Sequence, residues 1–286
     1  MALDRRRQGF QCVVLGDDTT LLHQAFKQTS ARFRPRAAVA ADPVRGAVAL
    51  VTGTSRGIGP CLVRALLEAG AQRIYCAARE PAQITALVSG APDRLVPLKL
   101  DITDDSDVEA AAARAGDVTL LVNNAGINFN QAFSCAEAVA NARAEMDTNY
   151  LGPLRLCRAF APILRRNGGG TIVNMLSILA HMNLPMMGSL CASKAAALSL
   201  TQALRAELAS QGTRVLGVLP GAVDTDMTRG LTIPKLAPET VAAAVIDGLR
   251  RGLEEIYPGD MASGVAFGLS LDPKEVERQF AQYLPG

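Results

Sequence analysis

The sequence predicts an α/β fold: a doubly wound parallel sheet of about seven strands with helices on both faces. Short runs rich in Val, Ile and Leu alternate along the chain with longer amphipathic stretches rich in Ala, Leu and Arg. A parallel sheet produces this alternation, because the crossover helices between its strands bury both faces. With 286 residues, of which 49% are hydrophobic, the chain is long enough for one large domain of this kind.

The regular pattern begins near Gly46 with the strand AVALVT, a Gly-rich turn, a helix through CLVRALLEAG and the strand RIYCAAR. Further strands are predicted at RLVPLKL, VTLLVNN, GTIVNML and RVLGVLP. Helices are predicted at DDSDVEAAAARAG, EAVANARAEMDTNYLGPLRLCRAFAPILRRN and SKAAALSLTQALRAELASQG. The helix PETVAAAVIDGLRRG, the strand EEIYPG and the helix DPKEVERQFAQYL close the pattern. We therefore predict a single domain over residues 47–286.

Residues 1–46 are predicted to be an extension that precedes this domain. They carry eight Lys or Arg against four Asp, a net charge of +4, whereas the whole chain has +2. A strand, FQCVVLG, and a helix, TLLHQAFKQTSARF, are predicted within them. Two interpretations remain open: an appendage packed on the domain or on a partner, and a disordered segment or one that precedes the true start codon.

Composition narrows the possible functions. The first apolar run spans only about five residues before Asp17 and Asp18, which is too short for a signal peptide. No run reaches the roughly 18–20 apolar residues of a membrane-spanning helix, and the small net charge gives no reason to expect a nucleic acid partner. Six cysteines without a C-x-x-C pair and only two histidines predict neither disulfides nor a metal site. We expect a cytoplasmic protein without a membrane or metal partner.

The turn TGTSRGIG, residues 52–59, follows a predicted strand and opens a predicted helix. In that context glycines let the backbone approach a pyrophosphate, whose charge is favoured by the N-terminus of the helix. The turn therefore predicts a dinucleotide site. Its contacts are expected at Gly53, Ser55, Arg56, Gly57, Ile58 and Gly59.

The second strand ends Ala77-Ala78-Arg79, where sites selective for NAD usually place an acidic residue on the ribose 2′-hydroxyl. A cation at Arg79, together with Arg56 in the turn, would instead attract a 2′-phosphate. We therefore predict NADP(H) as the cofactor. The alternative is that Arg79 is a solvated charge at the start of a helix.

These motifs, with Asp101 in KLDIT and residues 123–126 (NNAG), resemble the short-chain dehydrogenase/reductase family from about Gly46 to Asp226. The resemblance implies a Rossmann-type sheet of seven strands, a small-molecule substrate and a homodimer or homotetramer. It implies cofactor contacts near the adenine at Asp101 and Ile102, in the cleft at Asn123, Ala125 and Gly126, and at the nicotinamide end at Pro220, Gly221 and Thr225.

The family's catalytic set is an Asn, a Ser, a Tyr and a Lys. By resemblance, Asn149 kinks a helix and holds a water of the proton relay, and Ser177 bonds the substrate oxygen. Lys194 would bind the nicotinamide ribose and lower the pKa of the tyrosine. The tyrosine should lie one helical turn before Lys194, but that residue is Leu190, by natural divergence or introduced substitution. Leucine has no proton to give.

Another proton source is therefore required for carbonyl reduction, and His181, four residues after Ser177, is one candidate. The alternative is that His181 is a loop histidine without a role in proton transfer. Water held by Asn149 and the substrate itself are further candidates. The apolar residues around Leu190 (Met182, Leu184, Met186 and Met187) form either an adaptable pocket or plain core.

Three functions remain open from the sequence. The first is an NADP(H)-dependent oxidoreductase that acts on a small to medium, apolar carbonyl or alcohol, or on an imine or enone, with an unusual proton source. The second is a cyclase, isomerase or dehydratase on the same scaffold, since one fold hosts many reactions. The third is a subunit that binds NADPH without turnover.

Overall fold

A parallel sheet of seven strands forms the centre of the computed structural model, which describes residues 42–284. In chain order the strands are β1 (Val48–Thr52), β2 (Arg73–Ala78), β3 (Leu95–Lys99), β4 (Leu120–Asn123), β5 (Gly170–Met175), β6 (Thr213–Val218) and β7 (Glu255–Ile256). Their order across the sheet is β3-β2-β1-β4-β5-β6-β7, and neighbouring strands are parallel. The chain winds outward from β1 to β3, returns beside β1 and then winds the other way. The predicted doubly wound fold is confirmed.

Helices cover both faces of this sheet. Within residues 42–284 they are α1 (Ile58–Glu68), α2 (Thr85–Ser89), α3 (Asp105–Arg114), α4 (Ala138–Met146), α5 (Gly152–Arg166), α6 (Gly188–Leu208), α7 (Pro238–Arg251), α8 (Gly259–Leu271) and α9 (Pro273–Phe280). Ala49 and Val51 of β1 lie in an apolar cluster with α1 and α7. Val48 and Leu50 lie in a second cluster with α3, α5 and α6. Alternate residues of the strand thus enter opposite cores, which explains why β1 reads as an unbroken apolar run.

The helix predicted over residues 137–167 is divided in the structure. Asp147–Leu151 form a π-helical turn between α4 and α5. Asn149 lies inside this turn, is buried, and bonds to backbone atoms of Ile127. Periodicity alone predicted a continuous helix, and only the resemblance implied a kink at Asn149. Such wide turns are frequent at functional sites.

Two helix boundaries differ from the sequence prediction. Helix α6 begins at Gly188 rather than at Ser193, so Leu190 lies within its first turn. Helix α8 was not predicted at all. It contains Gly259, Gly264 and Gly268, whose helix propensity is low. Its apolar residues lie on the exposed side (Met261, Phe267 and Leu271) as well as on the packed side, so its amphipathic pattern is weak.

The strand and helix predicted within residues 1–41 lie outside the described residues. From Asp42 onward the chain packs on the domain: Val44 is fully buried, and the carboxylate of Asp42 lies 3.0 Å from the guanidinium of Arg250. None of the helices between residues 42 and 284 is long and apolar enough to span a bilayer.

Candidate cofactor cleft and active site

The Gly-rich turn joins β1 to α1 at the carboxyl edge of the sheet. Gly53 and Gly57 have φ angles of 68° and 64°, a region that glycine adopts without steric cost. Gly59 is required for a different reason, because a Cβ atom there would lie 2.1 Å from the carbonyl oxygen of Gly53. The first turn of α1 therefore lies directly against the Gly-rich turn. Its unpaired N–H groups are suitable donors for a pyrophosphate.

Thr52 fastens the end of β1 to the end of β4. Its hydroxyl donates to the carbonyl oxygen of Val122 (3.3 Å) and accepts from the N–H groups of Asn124 (2.9 Å) and Ala125 (3.0 Å). The side chain of Asn124 donates back to the carbonyl oxygen of Thr52 at 2.8 Å. Sequence reasoning missed Thr52 and Asn124 as site residues. The signal was available: both are polar residues at the carboxyl ends of adjacent buried strands.

The two predicted cations lie at the ends of β1 and β2. Thr54 links these ends, because its N–H and its hydroxyl both donate to the carbonyl oxygen of Ala77. Arg56 has a side chain that is 70% exposed and lies 3.4 Å from the carboxylate of Asp226. Arg79 is exposed just beyond β2 and makes no ion pair within residues 42–284. The other predicted residues of the turn, Ser55 and Ile58, are half-buried.

Three predicted cofactor residues direct their side chains into the protein. One carboxylate oxygen of Asp101 accepts from the N–H (2.9 Å) and the hydroxyl (2.7 Å) of Thr103. Ile102 is buried and packs against the start of α5. Asn123 is buried and donates to the Oδ1 atom of Asn174 at 2.8 Å. Contacts of Ile102 and Asn123 with a cofactor would therefore have to come from their backbone atoms.

The segment after β6 lies beside the Gly-rich turn. The methyl group of Thr225 lies 3.4 Å from the position of a Cβ atom at Gly57, so this segment and the Gly-rich turn are in close contact. The carbonyl oxygen of Pro220 accepts from the N–H of Ile178 at 3.1 Å. Gly221 packs against Met261, whose sulfur would lie 2.7 Å from an added Cβ atom. Pro220 therefore lies beside the segment that follows β5, and Thr225 lies beside the Gly-rich turn.

The structure brings Asn149, Lys194 and Gly126 together. The Oδ1 atom of Asn149 accepts from the N–H of Ile127 (2.9 Å), and its Nδ2 atom donates to the carbonyl oxygen of Ile127 and to the hydroxyl of Ser193, both at 3.0 Å. A Cβ atom at Gly126 would lie 3.1 Å from Oδ1 of Asn149 and 3.7 Å from Nζ of Lys194. Gly126 therefore lies close to both the amide of Asn149 and the ammonium group of Lys194.

Lys194 is held by one backbone contact. Its Nζ atom donates to the carbonyl oxygen of Met175 at 2.8 Å, and no carboxylate within residues 42–284 pairs with it. Burial lowers the pKa of Lys194 from 10.5 to about 8, because the charged form loses its hydration. A hydroxyl-bearing ligand in the cleft would supply the missing hydrogen-bond acceptors.

Leu190 lies in an apolar cluster at the start of α6. Its side chain is only 5% exposed and packs with Met187 and Cys191. Half-buried residues around this cluster are Leu179, Leu184, Met186 and Leu231. Burial raises the pKa of the Cys191 thiol, so this cysteine is kept neutral and is a poor proton donor.

Ser177 and His181 lie in the segment after β5. The Ser177 hydroxyl accepts from the N–H of Leu179 at 3.2 Å and lies 3.5 Å from the carbonyl oxygen of Pro220. The Nε2 atom of His181 lies 3.1 Å from the hydroxyl of Tyr257, which in turn donates to Glu255 at 3.1 Å. Tyr257 gives its one proton to Glu255, so it must accept from Nε2–H of His181. Burial and the charge of Glu255 raise the pKa of Tyr257 to about 12.

A doubly wound sheet with a glycine cradle at its carboxyl edge, and an Asn, a Ser and a Lys beside it, defines a nucleotide-dependent oxidoreductase class. A family profile described as short chain dehydrogenase matches residues 47–235. The chain belongs to the short-chain dehydrogenase family, and the resemblance noted in the sequence is confirmed.

Known relatives extend the match beyond the profile. The short chain dehydrogenase citE of Monascus ruber is 35% identical over 215 residues, which cover 71% of each chain. The 3-oxoacyl-[acyl-carrier-protein] reductase FabG of Escherichia coli (strain K12) is 34% identical over 228 residues, 78% of this chain and 89% of FabG. A crystal structure of a short chain dehydrogenase from Burkholderia cenocepacia J2315 in complex with NADP has 46% identity and a TM-score of 0.78, and covers 83% of this chain and 98% of that one.

Proposed function

We propose that the protein is an NADP(H)-dependent oxidoreductase for a small to medium, apolar carbonyl or alcohol substrate, or an imine or enone, with a proton source other than a tyrosine. The cofactor proposal is supported by the cradle at Gly53 and Gly59, where a side chain would clash, and by the cations Arg56 and Arg79. The Burkholderia relative, at 46% identity, was solved with NADP. Bound NADP(H) supplies the hydride donor or acceptor.

The observation that carries the redox proposal is Lys194, a half-buried residue whose ammonium group has one carbonyl oxygen as its partner. A lysine whose charge loses hydration, with only one carbonyl oxygen as a partner, is costly to keep unless a ligand uses it. The ribose of a bound dinucleotide offers hydroxyl groups for this purpose. Ser177, whose backbone is extended just after β5, would donate its hydroxyl proton to the substrate oxygen. Leu190 then forms an apolar wall that keeps water from the reacting carbon.

For the proton, we propose His181. Nε2–H of this residue is committed to Tyr257, which leaves Nδ1 to accept a proton and to deliver it. The hydroxyl of Tyr257 and the carboxylate of Glu255 continue the hydrogen-bonded chain from the imidazole. Both side-chain N–H groups of Asn149 are already used, so this side chain could hold a water only through an oxygen lone pair.

A second candidate, binding of NADPH without turnover, is favoured by Leu190 itself. A buried leucine with apolar neighbours offers no proton donor at the place where the resemblance puts the acid. A non-redox reaction on the same scaffold would yield a product isomeric with, or dehydrated from, the substrate, and would leave the oxidation state of the cofactor unchanged.

The test follows NADPH absorbance with ketones, imines and enones from pH 6 to 9, beside a fluorescence titration of NADPH binding. We expect binding together with slow, substrate-dependent oxidation of NADPH. His181→Asn, which keeps an N–H for Tyr257 but cannot carry the proton, should reduce turnover about 100-fold without changing NADPH affinity. Tight binding with no oxidation at any pH would establish the second candidate instead.

We also propose a homodimer or homotetramer. Val139 of α4 and Leu151 of the π-helical turn are exposed apolar residues on one long helical segment. Sedimentation of the purified chain would test this, since a monomer across micromolar concentrations would exclude it.

A further inference from the structure

The segment of residues 127–130, which follows β4, is fastened to one helical segment by two side chains. Asn149 bonds both the N–H and the carbonyl oxygen of Ile127. Glu145, four residues earlier, accepts from the N–H of Phe129 at 2.8 Å. Two side chains one turn apart thus hold alternate residues of the segment. The residue between them, Asn128, is free to turn its side chain elsewhere.

The side chain of Asn128 faces the Leu190 cluster. Its Nδ2 atom lies 3.6 Å from the sulfur of Met187, a member of that cluster, and 2.7 Å from the Oδ1 atom of Asn130. Its Oδ1 atom accepts from the backbone N–H of Asn130 at 2.9 Å. Because only an oxygen can accept that N–H, this contact fixes which end of the amide is the donor.

The side-chain amide of Asn128 has one N–H group without a strong acceptor. An amide has two N–H donors. One is used by Asn130, whereas the other meets only the thioether of Met187, which is a weak acceptor. A ligand oxygen would therefore compete successfully for the second N–H. Met187 belongs to the apolar cluster of Leu190, so an amide donor beside it would discriminate between otherwise similar apolar ligands.

Glu145 is an unusual residue to find in this position. Its side chain is 1% exposed, one carboxyl oxygen is used by Phe129, and Oε2 has no partner among the described residues. A buried carboxyl group with an unpaired oxygen is costly. An apolar residue would pack at this position without that cost. The glutamate, in contrast, supplies an acceptor for the N–H of Phe129.

We propose that Asn128 donates a hydrogen bond to a second oxygen of the substrate, and that Glu145 is the positioning residue that holds Asn128 in place through the backbone of Phe129. This inference rests on the proposed function, because it assumes that the substrate carbonyl lies between Ser177 and Leu190. It narrows the substrate class to apolar carbonyl compounds that carry one further oxygen near the reacting carbon.

Two ketones of equal chain length test the proposal: ethyl acetoacetate, which has an ester oxygen beyond the carbonyl, and 2-heptanone, which has methylenes there. Dissociation constants for both would be measured on the NADPH complex of the full chain. We expect the wild type to prefer ethyl acetoacetate about tenfold, the value of one hydrogen bond. Asn128→Leu should abolish the preference without changing NADPH affinity. No preference in the wild type, or a preference that survives Asn128→Leu, would overturn the proposal.

Two substitutions of Glu145 test its role as the positioning residue. Glu145→Gln keeps an oxygen that can accept from the N–H of Phe129, and should retain the preference. Glu145→Leu removes the acceptor and should reduce the preference to that of Asn128→Leu. Because the preference is a ratio measured on one enzyme, a general loss of stability does not change it. Equal damage from both substitutions would contradict the positioning role.

Turnover separates this inference from the proposed function. If neither ketone is reduced while the binding preference follows these variants, Asn128 is a ligand contact and the redox proposal fails. If both ketones are reduced and Asn128→Leu leaves the binding ratio unchanged, the redox proposal stands and the role of Asn128 is wrong.

Discussion

The two halves of the cleft are built differently. The half at residues 52–59 is made of backbone: Gly53, Gly57 and Gly59 have conformations or contacts that a side chain would disturb. The half around Leu190 is made of side chains that pack against one another, mostly from residues 184–191, with Leu179 and Leu231 added from two other segments. A backbone site tolerates little change, whereas one substitution in a side-chain site removes a chemical step and leaves the shape intact. The same cleft can therefore be complete for binding and altered for proton transfer.

Introducing an acid at residue 190 should give the largest effect. Leu190→Tyr places a phenol one turn before Lys194, where its hydroxyl could give a proton to the substrate oxygen. We expect turnover of ketones with NADPH to rise by roughly 10²- to 10⁴-fold, the usual contribution of a positioned acid. Leu190→Phe is the matched control, since it adds the ring without the hydroxyl and should give no gain. An equal gain from both would mean that shape, not the proton, limits the rate.

Lys194 is expected to lower the stability of the cofactor-free protein by an amount that depends on pH. Its pKa is about 8 in the folded chain against 10.5 when unfolded. Between these values the unfolded chain binds more protons, so the penalty is fully present below pH 8 and disappears as pH rises to 10.5. Lys194→Met removes it. We expect the free energy of unfolding of this variant, relative to wild type, to fall by about 3 kcal/mol from pH 7 to pH 10.5.

Chemical denaturation of the cofactor-free protein at both pH values measures this change. Lys235→Met, at a half-buried position in the loop before α7, is the control, and its difference from wild type should stay constant with pH. A Lys194→Met difference that stays constant with pH would mean that the lysine keeps its ordinary protonation in the folded state.

A substitution at Gly59 should disturb the cofactor half of the cleft most directly. In Gly59→Ala the new Cβ atom must displace the backbone of Gly53 or the first turn of α1. We expect NADPH affinity, from fluorescence titration, to fall about 100-fold, equivalent to roughly 3 kcal/mol. Gly116→Ala is the control, because no atom lies within 4 Å of the added Cβ there. Unchanged NADPH affinity in Gly59→Ala would place the cofactor away from this turn.

The smallest effect is expected at Arg79. If its guanidinium binds the 2′-phosphate, Arg79→Ala should reduce the preference for NADPH over NADH about tenfold, the value of one charge-assisted contact. Arg166→Ala, an exposed arginine at the far end of α5, should leave the preference unchanged. Competition titrations of the two cofactors give the ratio. A preference that survives Arg79→Ala would assign the discrimination to Arg56.

The alternation of strands and helices, the position of the Gly-rich turn and the presence of a leucine at residue 190, where the family resemblance implies a tyrosine, are all readable from the sequence. These are local properties, because glycine sterics, hydrophobic period and the chemistry of one side chain are readable residue by residue. Local reasoning failed where these signals are weak. Helix α8 has three glycines and a weak amphipathic pattern. The π-helical turn at Asn149 lies within what the sequence pattern predicted as one continuous helix.

The hydrogen-bond and ion-pair partners of the site residues depend on the tertiary structure. Arg56 meets Asp226 across 170 positions of sequence, and His181 meets Tyr257 across 76. The Glu145 contact with Phe129 likewise carries no sequence signal. These pairings depend on how strands and helices pack, since the winding of the sheet brings together the carboxyl ends of β1, β4, β5 and β6. Sequence therefore specified which chemical groups are present and which is absent, whereas the fold specified the partners with which each group acts.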